Sequence, residues 1–293
     1  MCPPLLAVPN ISEGRDLETI GAIGEAFESA GARLLDVHSD ADHHRSVYTL
    51  AGIPGQLAPT LLAGFEVAER RIDISDGRGE HPHVGAIDVA PIVHLDPATR
   101  GAACAEALLL GDLIAERLQI PVLIYGELAG GRVRAELRRG GPLALARRIE
   151  SGELIPDFGP HRLHPTAGAT LIAARPPLVA FNLELAPPSG PEQAREIAAL
   201  IRDGGPEGLP GVRAIGIALQ RPTATVGQVS FNVETPEQTP LRLLVQAVAR
   251  HAKIERAELV GLAPRAAFEG FPQDLPIPGF DPGRHLLENA LGL

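Results

Sequence analysis

The 293-residue chain reads as an α/β (α+β) protein of two small sheet-plus-helix subdomains, residues 1–177 and 178–293, each sheet carrying its helices on one outer face. Three observations predict this. Strand-like and helix-like patterns alternate through the first half. The alternation starts afresh after Pro176-Pro177, the natural place for a boundary. In the second half, residues 179 to 185 and 228 to 233 each place apolar side chains on one side and Ala180, Asn182, Glu184, Gln228, Ser230 and Asn232 on the other. That amide-rich, nearly uncharged face suits a heterocycle with many donors and acceptors, such as a pterin, and is expected to line a ligand cleft between the two sheets.

The elements follow in order. Residues 4 to 8 form a short buried strand. Asp16 caps a helix whose apolar positions Leu17, Ile20, Ile23 and Phe27 recur at helical spacing, and Gly31 ends it. Strands follow at 33 to 38 and 45 to 51, then a helix near 58 to 71. An alternating apolar segment from Val84 to Val93 precedes an Ala- and Leu-rich helix at about 99 to 118. Residues 120 to 124, β-branched and flanked by proline, form a buried strand. A short helix covers 143 to 152, and 155 to 168, rich in proline and glycine, is loop. After the boundary, Ser189-Gly190-Pro191-Glu192 has capping-box spacing ahead of a helix that buries Ala194, Ile197, Leu200 and Ile201. Residues 212 to 219 form a strand. Thr239-Pro240 starts a helix burying Leu241, Leu244, Val245 and Val248, and 258 to 262 closes the sheet. The tail from Gly270 wraps the surface or hangs loose.

Composition narrows the function. Hydrophobic residues make up 45% and charged residues 21%, as in an ordinary globular protein. No apolar run reaches membrane-span length, and no basic region followed by an apolar core opens the chain, so the expectation is a cytoplasmic protein. Cys2 and Cys104 are too few for a disulfide framework and lack metal-type spacing. A net charge of -10 argues against nucleic acid, whose phosphates need a basic surface. Locally the balance reverses. Arg132, Arg134, Arg138, Arg139, Arg147 and Arg148 crowd one stretch, which either steers a small polyanion or forms a salt-bridged surface.

The most informative local feature is the loop Gly79-Glu80-His81-Pro82-His83-Val84-Gly85. Pro82 fixes one backbone angle and disfavours helix at His81, so the imidazole is presented from an extended loop. Histidine titrates nearest neutral pH, which makes a fixed loop histidine a candidate acid/base. The plainer alternative is a surface turn.

An ordered series of segments extends the reading. It comprises Val8-Pro9-Asn10-Ile11-Ser12-Glu13-Gly14-Arg15-Asp16, Leu34-Leu35-Asp36-Val37, the run from Arg45 to Gly52, the His81 loop, Tyr125-Gly126-Glu127, Pro156-Asp157-Phe158-Gly159-Pro160 and Gly168-Ala169-Thr170. It continues through Phe181-Asn182-Leu183, the run from Gly211 to Gly216, and Gln228-Val229-Ser230-Phe231-Asn232. Together these resemble the formiminotransferase domain of the glutamate formimidoyltransferase family, the folate enzymes of histidine breakdown, from Pro9 to about Pro264.

The resemblance implies two formiminotransferase subdomains and transfer of a formimidoyl group from N-formimidoyl-L-glutamate to N5 of tetrahydrofolate. Tetrahydrofolate is the co-substrate; no metal is expected, because the amidinium carbon is already electrophilic. It also implies a homodimer, with no nucleic-acid or membrane partner. His81 matches the family's catalytic histidine. His38 stands where the family has an acidic residue beside it, and shares a strand face with Asp36. His83 stands where the family usually has arginine. Asn10, Arg45, Asn182, Gln228 and Asn232 lie in matched segments and are expected to bind substrate or folate. The loop from Phe158 to Gly168 corresponds to the family's folate-contacting segment. There His161, Arg162 and His164 could meet a glutamyl carboxylate, while Gly159 and Gly168 allow close backbone approach.

Two alternatives stay open. A folate- or pterin-binding relative could have kept the cleft and lost the transfer chemistry. The run His38-Ser39-Asp40-Ala41-Asp42-His43-His44 also offers potential ligands for a metal-dependent hydrolase, although the further motifs of the Asp-His-His phosphoesterases are not in place.

Overall fold

The computed structural model describes residues 3–76, 83–221 and 224–293. Its contacts divide the chain into two compact units, Met1–Pro176 and Pro177–Leu293.

In the first unit the elements are β1 (Leu5–Ala7), β2 (Asn10–Ile11), α1 (Leu17–Ser29), β3 (Arg33–Asp40), β4 (Arg45–Gly52), α2 (Leu57–Arg71), β5 (Ile87–His94), α3 (Arg100–Leu118), β6 (Val122–Ile124), α4 (Arg134–Arg138), α5 (Gly141–Glu150) and β7 (Thr170–Arg175). They build one mixed sheet. β1 and β2 lie end to end between β4 and β5, each antiparallel to both. Pro9, which has no N–H to donate to a ladder, stands at the break between them. β3 adds to the outside of β4, while β5, β7 and β6 run parallel. Parallel neighbours need long crossovers, and α3 supplies the one between β5 and β6.

One face of this sheet is covered by α1, α2 and α3. Its core gathers Phe27, Tyr48 and Phe65, with ring centroids 5.6 Å apart in two edge-to-face pairs. Gly64 lies inside α2 because a Cβ there would come 2.3 Å from the Phe27 ring. Asp16 caps α1 as its sequence position predicts, accepting from the Glu18 N–H and from the Thr19 hydroxyl at 2.6 Å.

The expectation of helices on one face only is corrected here. α4 and α5 cover part of the opposite face, where Leu137, Leu145 and Ile149 pack on Val89, Leu123, Leu171 and Ala173. The sequence reading treats the stretch around α4 as an arginine cluster and places no strand at β7. The apolar run of β7 is buried almost throughout, so it carries no alternation to read.

The second unit contains β8 (Val179–Leu185), α6 (Pro191–Ile201), β9 (Val212–Gln220), β10 (Thr225–Val233), α7 (Leu241–Ala249), β11 (Ile254–Val260), α8 (Pro282–His285) and α9 (Leu287–Leu291). Its antiparallel sheet runs β11-β8-β10-β9, the order of a ferredoxin-like β-α-β-β-α-β unit. Val179, Phe181, Leu183, Val229, Phe231 and Val233 face α6 and α7, as their alternation predicts. Gly216 and Gly227 let α6 come close, since a Cβ on Gly216 would lie 2.3 Å from the Arg195 nitrogen. The capping-box expectation fails at α6: Gly190 is the N-cap and no side chain caps it. The tail packs on this core through Phe268, Phe271 and Phe280, and Pro276 accepts from the Ala257 N–H at 2.9 Å. Among the described residues, no helix is long and apolar enough to cross a membrane.

A buried carboxylate joins α3 to α2. Gln56, ahead of α2, offers no side-chain cap. Glu106 of α3, only 3% exposed, accepts from the Gly55 N–H with one oxygen and from the Ala58 N–H at 2.7 Å with the other. It thereby places a negative charge at the positive end of α2. Glu106→Ala should lower unfolding stability by about 1–3 kcal/mol in urea denaturation, because it leaves buried N–H groups without an acceptor. Glu106→Gln, which keeps one acceptor, should lose less.

Candidate active site

Strand pairing decides which side chains share a face. His38 on β3 and Asn10 on β2 both stand opposite Val47 of β4, from either side. Arg45 lies two residues along β4, so it points the same way, and its partner across β3 is Asp40. Asp36 reaches this face opposite Thr49. The structure therefore brings Asn10, His38 and Arg45 together on the face opposite to α1, α2 and α3.

β5 completes the face through an irregularity. Asn10 pairs with Val89 while Ile11 pairs with Ile87, so Asp88 is the extra residue of a β-bulge. A regular strand would send neighbours 88 and 89 to opposite sides. Here Val89 packs under α4 and α5, and Asp88 meets Arg138 of α4. The Asp88 carboxylate is 1% exposed. One oxygen accepts from the Val84 N–H at 2.9 Å, and the other accepts from Arg138 Nη2.

Two more arginines stand nearby. Burial first, then Arg138, pulls the Arg45 guanidinium down to about 10; Arg134 adds to this, while Asp88 and Asp40 act the other way. Burial also lowers the Arg138 guanidinium, against the pull of Asp88. Arg134 stacks its guanidinium 5.8 Å from the centre of the Tyr125 ring. The Tyr125 hydroxyl and Arg138 Nε are buried with no hydrogen-bond partner among the described residues. Arg45, Arg134 and Arg138 thus lie close enough to act on one another, with Asp88 and Asp40 as the carboxylates that act on Arg45. Elsewhere in the arginine cluster, Arg132 pairs with Asp157 at 2.7 Å and Arg148 with Glu153 at 2.9 Å.

His81, on which the acid/base expectation falls, lies outside the described residues, together with Gly79, Glu80 and Pro82. The segment that follows is firmly held. Ser12 donates to it twice, from its N–H to the Ala86 carbonyl at 2.9 Å and from Oγ to the Gly85 carbonyl at 2.7 Å. The Ala169 N–H donates to the Val84 carbonyl, and the Ala86 N–H to the Ala167 carbonyl. Before His81, the Ile74 N–H donates to the Thr166 carbonyl at 2.9 Å. Residues 164 to 169 therefore hold the chain at Ile74 and from Val84 to Ala86.

This gives the predicted loop glycines and His164 specific jobs. Gly168 has φ +67°, and a Cβ there would lie 2.2 Å from the Val84 carbonyl oxygen; one on Gly85 would lie 1.9 Å from that of Ala169. His164 Nδ1 accepts from the Ala167 N–H at 3.0 Å, and its Nε2 lies 3.7 Å from Glu69. Gly159 packs against Ala115 and Ile120 at the end of α3, on the other side of the sheet from Arg45, and His161 is exposed. In the second unit, Asn182 and Gln228 are each 3% exposed, and Asn232 is half-buried. Their face is not nearly uncharged, as the sequence reading has it. Arg221 and Arg256 both bind Glu184, at 3.2 and 2.8 Å, and Glu258 of β11 accepts from Asn182 at 2.8 Å.

Sequence reasoning missed Asp88 and its pairing with Arg138. The available signal was a lone carboxylate inside the apolar run from Val84 to Val93, where a charge stays only if paired. Gly168→Ala should cost at least about 2 kcal/mol in urea denaturation, combining a disfavoured backbone angle with a clash against backbone.

The family model described as Formiminotransferase domain, N-terminal subdomain, matches residues 5–175. The chain is 32% identical to Glutamate formimidoyltransferase of Streptococcus pyogenes serotype M1, covering 97% of each chain. It is 34% identical to Glutamate formimidoyltransferase of Thermoplasma acidophilum, covering 97% of this chain and 96% of that one. It is also 36% identical to Formimidoyltransferase-cyclodeaminase of Gallus gallus, over 89% of this chain and 50% of that protein. The chain spans about half the length of the Formimidoyltransferase-cyclodeaminase relatives it matches. On the extent of these matches, the chain belongs to the formiminotransferase-domain family.

Proposed function

We propose that this protein transfers a formimidoyl group from N-formimidoyl-L-glutamate to N5 of tetrahydrofolate, releasing L-glutamate. The observation that carries the reading is the group formed by Arg45, Arg134 and Arg138, with Asp88 bonded to Arg138 and Asp40 opposite Arg45. A donor bearing two carboxylates supplies the anions that such a face favours. The names of the relatives, which print glutamate and formimidoyl transfer, support the same chemistry.

The steps follow from the reacting atoms. The N5 amine of tetrahydrofolate adds to the amidinium carbon and gives up its proton. The resulting tetrahedral species then breaks its bond to the glutamate nitrogen, which leaves with a proton. One group that accepts the first proton and donates the second serves both steps; His81 is proposed for it, and His38 is proposed as the second catalytic residue. The arginines hold the donor's carboxylates, and Asn10 lies on the same face. We assign donor binding to the first unit, and pterin binding to the amide-bearing face with Asn182, Gln228 and Asn232 in the second. His161, His164, Gly159 and Gly168 are proposed to serve the folate side, the last three through the loop support and packing described above. The reading includes a cytoplasmic homodimer with tetrahydrofolate as co-substrate.

Purified protein given both substrates should release L-glutamate and form 5-formimidoyltetrahydrofolate, followed by chromatography. His81→Ala should slow turnover by roughly two to four orders of magnitude with little change in tetrahydrofolate affinity. Binding of reduced folate without any transfer in wild type would favour a folate-binding relative instead.

A further inference from the structure

We propose that Asp88 is the positioning residue of this site, setting the Arg138 guanidinium and the backbone at Val84 in one geometry and thereby fixing affinity for the carboxylate-bearing donor. The proposal rests on the transfer reaction above for the donor's identity, but its geometry stands apart from it. Asp88 is the extra residue of a bulge in β5 between the pairs Asn10–Val89 and Ile11–Ile87, which lets it share a side of the sheet with its neighbour Val89. Its two oxygens serve two different parts of the chain. Oδ1 accepts from the Val84 N–H, three residues beyond His81, and Oδ2 accepts from Arg138 Nη2 of α4.

The rest of the 84 to 86 segment is held by backbone groups and by Ser12, so Asp88 gives the Val84 N–H its acceptor. Burying this pair is costly in stability: the side chains of Arg138 and Asp88 are 11% and 2% exposed. Apolar residues would fill the same space more stably. What the pair provides is direction. With one guanidinium nitrogen held by Asp88, the remaining donors of Arg138 keep a fixed aim, alongside Arg45 and Arg134, for an incoming carboxylate.

The test measures L-glutamate binding by calorimetry for wild type, Asp88→Asn, Arg138→Lys and the double variant, together with KM for both substrates. Asp88→Asn keeps an oxygen for the Val84 N–H and removes the charge facing Arg138. Each single variant should lose roughly tenfold in glutamate affinity, and the double variant should lose no more. KM for the donor should rise in step, while KM for tetrahydrofolate stays within about twofold, a split that a general structural defect does not produce. Additive losses, equal effects on both substrates, or unchanged glutamate affinity would overturn the proposal. Should Asp88→Asn not fold, Asp88→Glu, which keeps the charge and displaces it by one methylene, decides the matter: selective loss of glutamate affinity supports the proposal and unchanged affinity overturns it. A wild type that binds glutamate but transfers nothing sinks the proposed reaction alone, and the binding comparison still decides on Asp88. A wild type that binds no glutamate overturns both.

Discussion

One extra residue in β5 is the constraint on which the first unit's site depends. Buried carboxylates are expensive unless every oxygen finds a partner. The bulge places Asp88 where two partners exist, the Val84 N–H on one side and Arg138 on the other. The sheet, the segment after His81 and the short helix α4 are thereby tied at a single point. The bulge lets Ile87 pack toward α1, α2 and α3 while Asp88 and Val89 both lie on the other side.

A second constraint is the close backbone contact beneath the loop. Gly85 and Gly168 approach so nearly that neither position has room for a side chain. Glycines in such loops invite a ligand explanation, since a missing Cβ lets a ligand come near. Here the neighbour is protein backbone. The same holds for Gly159, which gives way to Ala115 of α3. His164 likewise turns one ring nitrogen into an acceptor for its own turn. These residues shape the backbone packing around Val84 to Ala86.

Much of the fold was legible because it follows from local rules. Asp16 and the spacing of Ile20, Ile23 and Phe27 specify α1, and the alternation from Val179 to Leu185 specifies the buried side of β8. The failures share a cause: they need register or tertiary packing. β7 has no alternation because it is buried on both faces, and β2 is two residues long. At α6 the capping-box spacing is present, yet the chain starts the helix from Gly190. The amide face of the second sheet looked nearly uncharged because the alternation of β8 and β10 puts only Glu184 among the amides, and the other charges come from outside these strands. Arg256 and Glu258 belong to β11, and only its pairing with β8 sets them beside Glu184 and Asn182. In the site, Asn10, His38 and Arg45 could be named from matched segments, but that Asn10 and His38 flank Val47 could not. Asp88 was invisible for the same reason, since a bulge is a property of two strands together.

The central claim is that the arginine face of the first unit receives the carboxylates of a glutamate-bearing donor. A crystal structure with L-glutamate bound tests it most directly. A glutamate carboxylate within hydrogen-bond distance of Arg138, with the Asp88 contact to Arg138 retained, is the predicted result. Glutamate bound with no contact to Arg45, Arg134 or Arg138 would contradict it.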